Sequence, residues 1–154
     1  MAVTGGRLHH AALCVADMEA SLRFYRDGLG LVELMDEEFE GDWPDLFDAP
    51  SRVLRSRFLG DPAAPAAGVV ELVAFQGGLP DGAAPAPPAN GFFLLSFYVD
   101  LEATLERLGR LERPVGPVRR IEQAGLRGPV QMATLRDPDG VLVELIDVGP
   151  ASGS

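Results

Sequence analysis

The sequence predicts an α+β protein built as two βαβββ modules in tandem. Three observations carry the prediction. A helix-start signature occurs twice: Val15 precedes Asp17-Met18-Glu19-Ala20-Ser21-Leu22, and Val99 precedes Asp100-Leu101-Glu102-Ala103-Thr104-Leu105. Each half closes on an apolar run around one carboxylate, Val70-Glu71-Leu72 and Val143-Glu144-Leu145. Between the halves, residues 76–90 (QGGLPDGAAPAPPAN) read as a Gly/Pro/Ala linker. The expected organisation is a first module over 1–75, the linker over 76–90, a second module over 91–148 and a tail over 149–154, together one compact two-module domain.

In the first half, residues 8–15 (LHHAALCV) read as a buried strand. Alternation puts His10, Ala12 and Cys14 on one face and His9, Ala11, Leu13 and Val15 on the other. Asp17 is a good N-cap for a helix whose Met18, Leu22 and Tyr25 fall at helical spacing, with Ser21 and Phe24 beside them. Gly28 and Gly30 end that helix. Residues 31–39 form a second strand. Residues 36–50 (DEEFEGDWPDLFDAP) form an acidic loop whose Phe39, Trp43 and Phe47 either border a ligand or anchor the loop to the core. Residues 51–59 and 68–75 are the third and fourth strands, separated by a turn over 61–67.

The second half repeats the order. Residues 91–99 (GFFLLSFYV) read as a buried strand, and Asp100 caps a helix striped by Leu101, Leu105 and Leu108. Strands follow at 114–122, 128–136 and 141–148. Asp137-Pro138-Asp139-Gly140 is a tight-turn signature between the last two.

Charge narrows the function. The 154 residues carry 23 acidic and 13 basic side chains, a net charge of −10. Nucleic acid and anionic membranes need a basic footprint, so neither is expected as a partner. The single Cys14 allows no intrachain disulfide and fits a reducing compartment. No apolar run approaches the ~20 residues of a membrane-spanning helix, and the first residues lack the order of a signal peptide. The expectation is a cytoplasmic protein.

Chemistry points to the two glutamates. An ionised carboxylate in an apolar strand is costly to bury without a cation or strong hydrogen bonds. Phosphate-binding glycine loops, CxxC, HExxH and GxSxG are absent from the sequence. Arg52, Arg55 and Arg57, and likewise Arg119 and Arg120, either hold an anionic group or lie on solvated strand edges. Cys14 reads as a small buried residue, since no base partner is identifiable.

These residues resemble the vicinal oxygen chelate superfamily, which includes glyoxalases, bleomycin-resistance proteins, extradiol dioxygenases and methylmalonyl-CoA epimerases. The resemblance is carried by His9-His10 through Val15-Ala16-Asp17, by Phe24-Tyr25-Arg26-Asp27-Gly28-Leu29-Gly30-Leu31, by Val70-Glu71-Leu72, and by Arg136-Asp137-Pro138-Asp139-Gly140 through Glu144-Leu145-Ile146. It implies paired βαβββ modules whose mixed sheets curve into an open cup, and a homodimer. In metal-using members the cup holds one divalent ion, with ligands from the first and last strands of each module. Carried over by position, the ligands are His10, Glu71 and Glu144. The fourth position is Leu94, five residues before Val99 as His10 is five before Val15.

One nitrogen and two or more oxygens suit Fe, Mn, Ni, Co or Zn. Three protein ligands suffice at many catalytic sites. A metal-free cup is the alternative, because Leu94 replaces the fourth ligand. His9 faces away by alternation, which disfavours a two-histidine iron site and so the dioxygenase activity. Ser96 and Tyr98 share the Leu94 face, and Phe75 shares the Glu71 face. Leu94, Phe75, Tyr98 and Trp43, with Ser96, would line a pocket for an aromatic or oxygen-rich small molecule, or else belong to the core.

Two functions follow from the resemblance. One is an enzyme of isomerase, epimerase or lyase type working through an enolate-like intermediate, with Glu71 or Glu144 moving the proton. The other is a non-catalytic protein that binds an antibiotic or natural product without metal.

Overall fold

Each half folds as a helix packed on one face of a four-stranded mixed sheet, the arrangement that its caps and apolar alternation dictate. The computed structural model describes residues 5–112 and 115–150. It divides into two units, Met1–Arg26 with Leu31–Asp81, and Asp27–Gly30 with Gly82–Ser154.

In the first unit the elements are β1 (His10–Cys14), α1 (Met18–Leu22), β2 (Val32–Glu40), α2 (Trp43–Phe47), β3 (Val53–Gly60) and β4 (Val69–Phe75). The sheet order is β1-β4-β3-β2. β1 runs parallel to β4, and the other pairs are antiparallel. The Asp17 carboxylate accepts from the Ala20 amide at 3.0 Å, the N-cap that starts α1. Leu22, Leu59 and Leu72 are fully buried, and Leu13 and Val70 nearly so. Each such side chain gains about 1.5–3 kcal/mol by leaving water.

In the second unit β5 (Leu95–Tyr98), α3 (Leu101–Gly109), β6 (Arg119–Gly125), β7 (Gly128–Arg136) and β8 (Leu142–Asp147) build a sheet of order β5-β8-β7-β6. Again the first strand is parallel to the last, and the rest are antiparallel. The Asp100 carboxylate caps α3 by accepting from the Ala103 amide at 3.0 Å. Leu101, Leu108, Val143 and Leu145 form its core. The two predicted βαβββ modules are thus two four-stranded mixed sheets.

Several elements differ from expectation. The first helix is α-helical only to Leu22; Arg23–Gly28 continues as a π-helical turn. That turn buries the consecutive Phe24 and Tyr25, whose rings meet edge to face with centroids 4.8 Å apart. The 3.6-residue stripe gave no sign of it. The expected loop over 36–50 is shorter, because β2 runs on through Phe39 and Trp43–Phe47 winds into α2 with Pro44 in its first turn. The strand expected over 91–99 contains only Leu95–Tyr98, and Phe92, Phe93 and Tyr98 are exposed rather than buried. The strand expected from 114 begins at Arg119; Pro114 lies outside the described residues, as do residues 1–4 and 151–154 of the expected ends.

Asp137 makes the turn before β8. Its carboxylate accepts from the amides of Asp139 and Val141 at 2.9 and 2.8 Å. Gly140 follows at φ 87°, a conformation that glycine adopts without strain. Among the described residues no helix is long and apolar enough to cross a membrane.

Candidate functional site

In the first unit, strand register brings the predicted His10 and Glu71 together. Glu71 lies opposite Ala12 in β1 and Phe58 in β3, while His10 lies opposite Val69, two residues away on the same face. His10 Nε2 stands 3.0 Å from Glu71 Oε2, and the Ser56 hydroxyl donates to Glu71 Oε1 at 2.7 Å. Both carboxylate oxygens therefore have partners, which is what a carboxylate only 14% exposed requires. The His10 side chain is 38% exposed, so the pair opens to solvent on the imidazole side.

Two neighbours were missed by the sequence reading, and a third was given the wrong direction. Ser56 is 1% exposed and occupies a polar place between Leu54 and Phe58 on one strand face; that interruption of an apolar alternation was its only signal. Phe58 lies under both imidazoles, with ring centroids 5.8 Å from His9 and 5.4 Å from His10. His9 itself corrects an expectation. It precedes β1, where strand alternation no longer fixes its direction, and its Nδ1 is 2.8 Å from Nδ1 of His10.

The second unit places Glu144 opposite Ser96 in β5 and Thr134 in β7. The Ser96 hydroxyl donates to Glu144 Oε1 at 2.8 Å. Leu94 is half-buried just before β5, and Tyr98 is 80% exposed. Phe75 and Trp43 belong to the first unit: Phe75 is half-buried opposite Leu54, and Trp43 stacks on Phe47 at 5.8 Å. In the second unit a groove of about 210 Å³ lies among Pro87, Pro88, Phe92, Phe93, Arg136 and Leu142, none of them a predicted site residue.

The first arginine cluster is engaged internally. Arg55 pairs Asp36 through two hydrogen bonds of 2.9 and 2.7 Å. Arg57 is buried on the helix side, 3.0 Å from Glu33, 3.3 Å from Asp36 and 3.4 Å from Glu19. Arg52 pairs Asp42 at 3.0 Å, and Arg120 pairs Glu102. The Arg55 hydrogen bonds hold the Asp36 carboxyl below the usual carboxylate range, and the Arg57 charge adds to this. In the second unit the amides of Leu101 and Gly149 donate to Asp147 at 2.8 Å each and hold its carboxyl low. Cys14 is exposed, not buried, because it shares the open face of β1 with His10.

Two ligand atoms about 2.1 Å from one divalent ion lie ~3.0 Å apart at the right angle of an octahedral site and ~3.4 Å apart at the tetrahedral angle. The His10–Glu71 spacing of 3.0 Å is a hydrogen-bond distance and also matches the octahedral separation. An imidazole nitrogen with carboxylate oxygen is a donor pair of first-row divalent metals. Among the described residues no group of three or more His, Cys, Asp or Glu is placed to hold a metal ion.

The family model described as the Glyoxalase/Bleomycin resistance protein/Dioxygenase superfamily matches residues 7–145. The lactoylglutathione lyase-like protein terB of Aspergillus terreus is 37% identical over 146 residues, covering 90% of this chain and 74% of terB. A glyoxalase family protein from Bacillus cereus aligns with a TM-score of 0.68 at 16% identity, over 95% of this chain and 98% of that one. Glyoxalase I of Leishmania major aligns with a TM-score of 0.59 at 21% identity, over 93% of this chain and 87% of its own. The two structural likenesses concern the fold.

Proposed function

From the premise that the chain belongs to the Glyoxalase/Bleomycin resistance protein/Dioxygenase superfamily, we propose that it is a small-molecule enzyme of lyase or isomerase type. Its substrate is a small, oxygen-rich molecule with an acidic C–H bond. The observation that carries the reading is the Glu71 carboxylate, held at one oxygen by Ser56 and at the other by His10. In this reading Glu71 takes and returns the substrate proton. Ser56 fixes the rotamer of the carboxylate, and His10 stabilises its charge and is the solvent-side partner in the exchange.

His10 and Glu71 are also the residues that would hold a divalent ion; Glu144, in the second unit, is the further carboxylate that the family resemblance implies. An ion held there would supply Lewis acidity toward a substrate oxygen. Metal content decides this part: near one Fe, Mn, Ni, Co or Zn per chain, lost in His10→Ala and reduced in Glu144→Ala, is the expected result. No metal in any of the three, even after loading, removes the ion from the proposal.

Turnover decides the rest. Lactoylglutathione is the first probe, suggested by the name of the terB relative, followed by other small carbonyl compounds. Glu71→Gln should lower the rate by about 10²–10⁴-fold. Equal rates in wild type and Glu71→Gln would sink the assignment. A second reading, sequestration of an aromatic compound without turnover, is favoured by the apolar Leu94 and by the stacked Trp43 and Phe47. Stoichiometric binding with no product after prolonged incubation would select it. The homodimer expected for the family is read by light scattering on the same preparation.

A further inference from the structure

The two histidines are adjacent in sequence, and His9 has no part in the reading above. Its carbonyl accepts from the Val69 amide at 3.2 Å, so β4 holds its main chain. Its ring stands at 89° to that of His10, centroids 5.1 Å apart, and both rings rest against Phe58. The two Nδ1 atoms are 2.8 Å apart, and His10 Nε2 is 3.0 Å from Glu71.

Two ring nitrogens at that distance need one hydrogen between them. While Glu71 is an acceptor, the hydrogen of neutral His10 lies on Nε2. Its Nδ1 is then bare, and His9 must donate. When His10 Nε2 is bare, facing a cation or a proton donor, the His10 hydrogen lies on Nδ1 and His9 must accept. The demand on His9 is opposite in the two states. An imidazole meets both, because its own hydrogen moves between Nδ1 and Nε2. We propose that His9 is a positioning residue that fixes the tautomer and ring orientation of His10, donating to His10 Nδ1 in the resting protein and accepting from it when His10 Nε2 is bare. The proposal rests on the reading of His10 and Glu71 as the reacting pair and adds to it the element that sets the His10 hydrogen.

The test uses the full chain, metal-free and labelled with ¹⁵N, with imidazole nitrogens read by NMR about two pH units above the ordinary histidine value of ~6.5. His9→Phe and His9→Asn each leave a single histidine, which assigns every signal. In wild type the His9 hydrogen is expected on Nδ1, the tautomer that an isolated histidine disfavours, and the His10 hydrogen on Nε2. Adding Zn²⁺ alone should move the His10 hydrogen to Nδ1 and the His9 hydrogen to Nε2. His9→Phe keeps a ring beside Phe58 but offers His10 nothing, so Zn²⁺ should bind about 10- to 100-fold more weakly. The amide of His9→Asn reaches as far as Nδ1 and can donate or accept, so it should restore most of the affinity. A His9 hydrogen on Nε2 in the metal-free wild type overturns the proposal, and so does equal Zn²⁺ affinity in wild type and His9→Phe. Failure of Zn²⁺ to bind wild type at all overturns the metal part of the proposed function instead; the metal-free spectrum then decides the tautomer proposal by itself.

Discussion

Glu71 in β4 and Glu144 in β8 hold corresponding places in their sheets, each beside a parallel first strand and an antiparallel third one. Their surroundings differ. Around Glu71 the parallel strand supplies an imidazole and the antiparallel strand a buried hydroxyl. Around Glu144 the parallel strand supplies the hydroxyl, from Ser96, and Leu94 stands where the imidazole would be. The difference teaches that the fold fixes where a carboxylate sits, while two side chains decide what it can do. A carboxylate bridged to an imidazole can pass a proton onward; one held by an exposed serine is anchored, and among the described residues it has no imidazole beside it.

Exchanging the two environments is the severest way to break this comparison. His10→Leu gives the first sheet the composition of the second and should cost about 10²–10⁴-fold in turnover, measured as kcat/KM. Leu94→His is the reverse exchange. It should leave turnover at the Glu71 pair intact and raise the affinity for Zn²⁺, read by titration; an unchanged affinity would mean that Glu144 is not reached by an added ligand.

Stability sharpens the comparison next. Leu22 and Leu108 are fully buried, one in each unit. Truncation of either to Ala should cost about 2–5 kcal/mol in urea unfolding. Smaller effects separate the two hydroxyls. Ser56→Ala strands a carboxylate oxygen in a buried setting and should cost about 1–3 kcal/mol. Ser96→Ala, at an exposed position, should stay within about 0.5 kcal/mol of wild type.

The mildest expected effect is on acid stability. Asp36 and Asp147 both have folded-state pKa values below their unfolded ones. Each therefore contributes stability that is fully present above the unfolded value of ~3.9 and is lost as pH falls through the folded value. Unfolding midpoints should fall between pH 5 and pH 2, less steeply in Asp36→Asn and in Asp147→Asn.

Much of the fold was legible because it is written in local chemistry. Asp17 and Asp100 mark their helices by capping, and the apolar runs around Glu71 and Glu144 mark the closing strands. The π-helical turn was not legible, since Met18, Leu22 and Tyr25 satisfy an ordinary helix equally well. Nor was the exposure of Phe92 and Phe93, which composition assigns to a core. In the candidate site, His10 and Glu71 were legible from position, whereas Ser56 was not, because its role depends on the register between β3 and β4. His9 failed for a physical reason: alternation holds inside a strand, and His9 stands just outside one.

Trp43 is the only tryptophan in the chain, and it lies in the first unit against Phe47. Its fluorescence is consequently a label that the sequence has already placed, reporting on α2 in the first unit. Far-ultraviolet circular dichroism, by contrast, sums over both. Melts followed by the two signals will coincide if the units unfold together and separate if one survives the other. An unlabelled sample thereby reveals whether the unit carrying His10 and Glu71 and the unit carrying Glu144 share one cooperative transition.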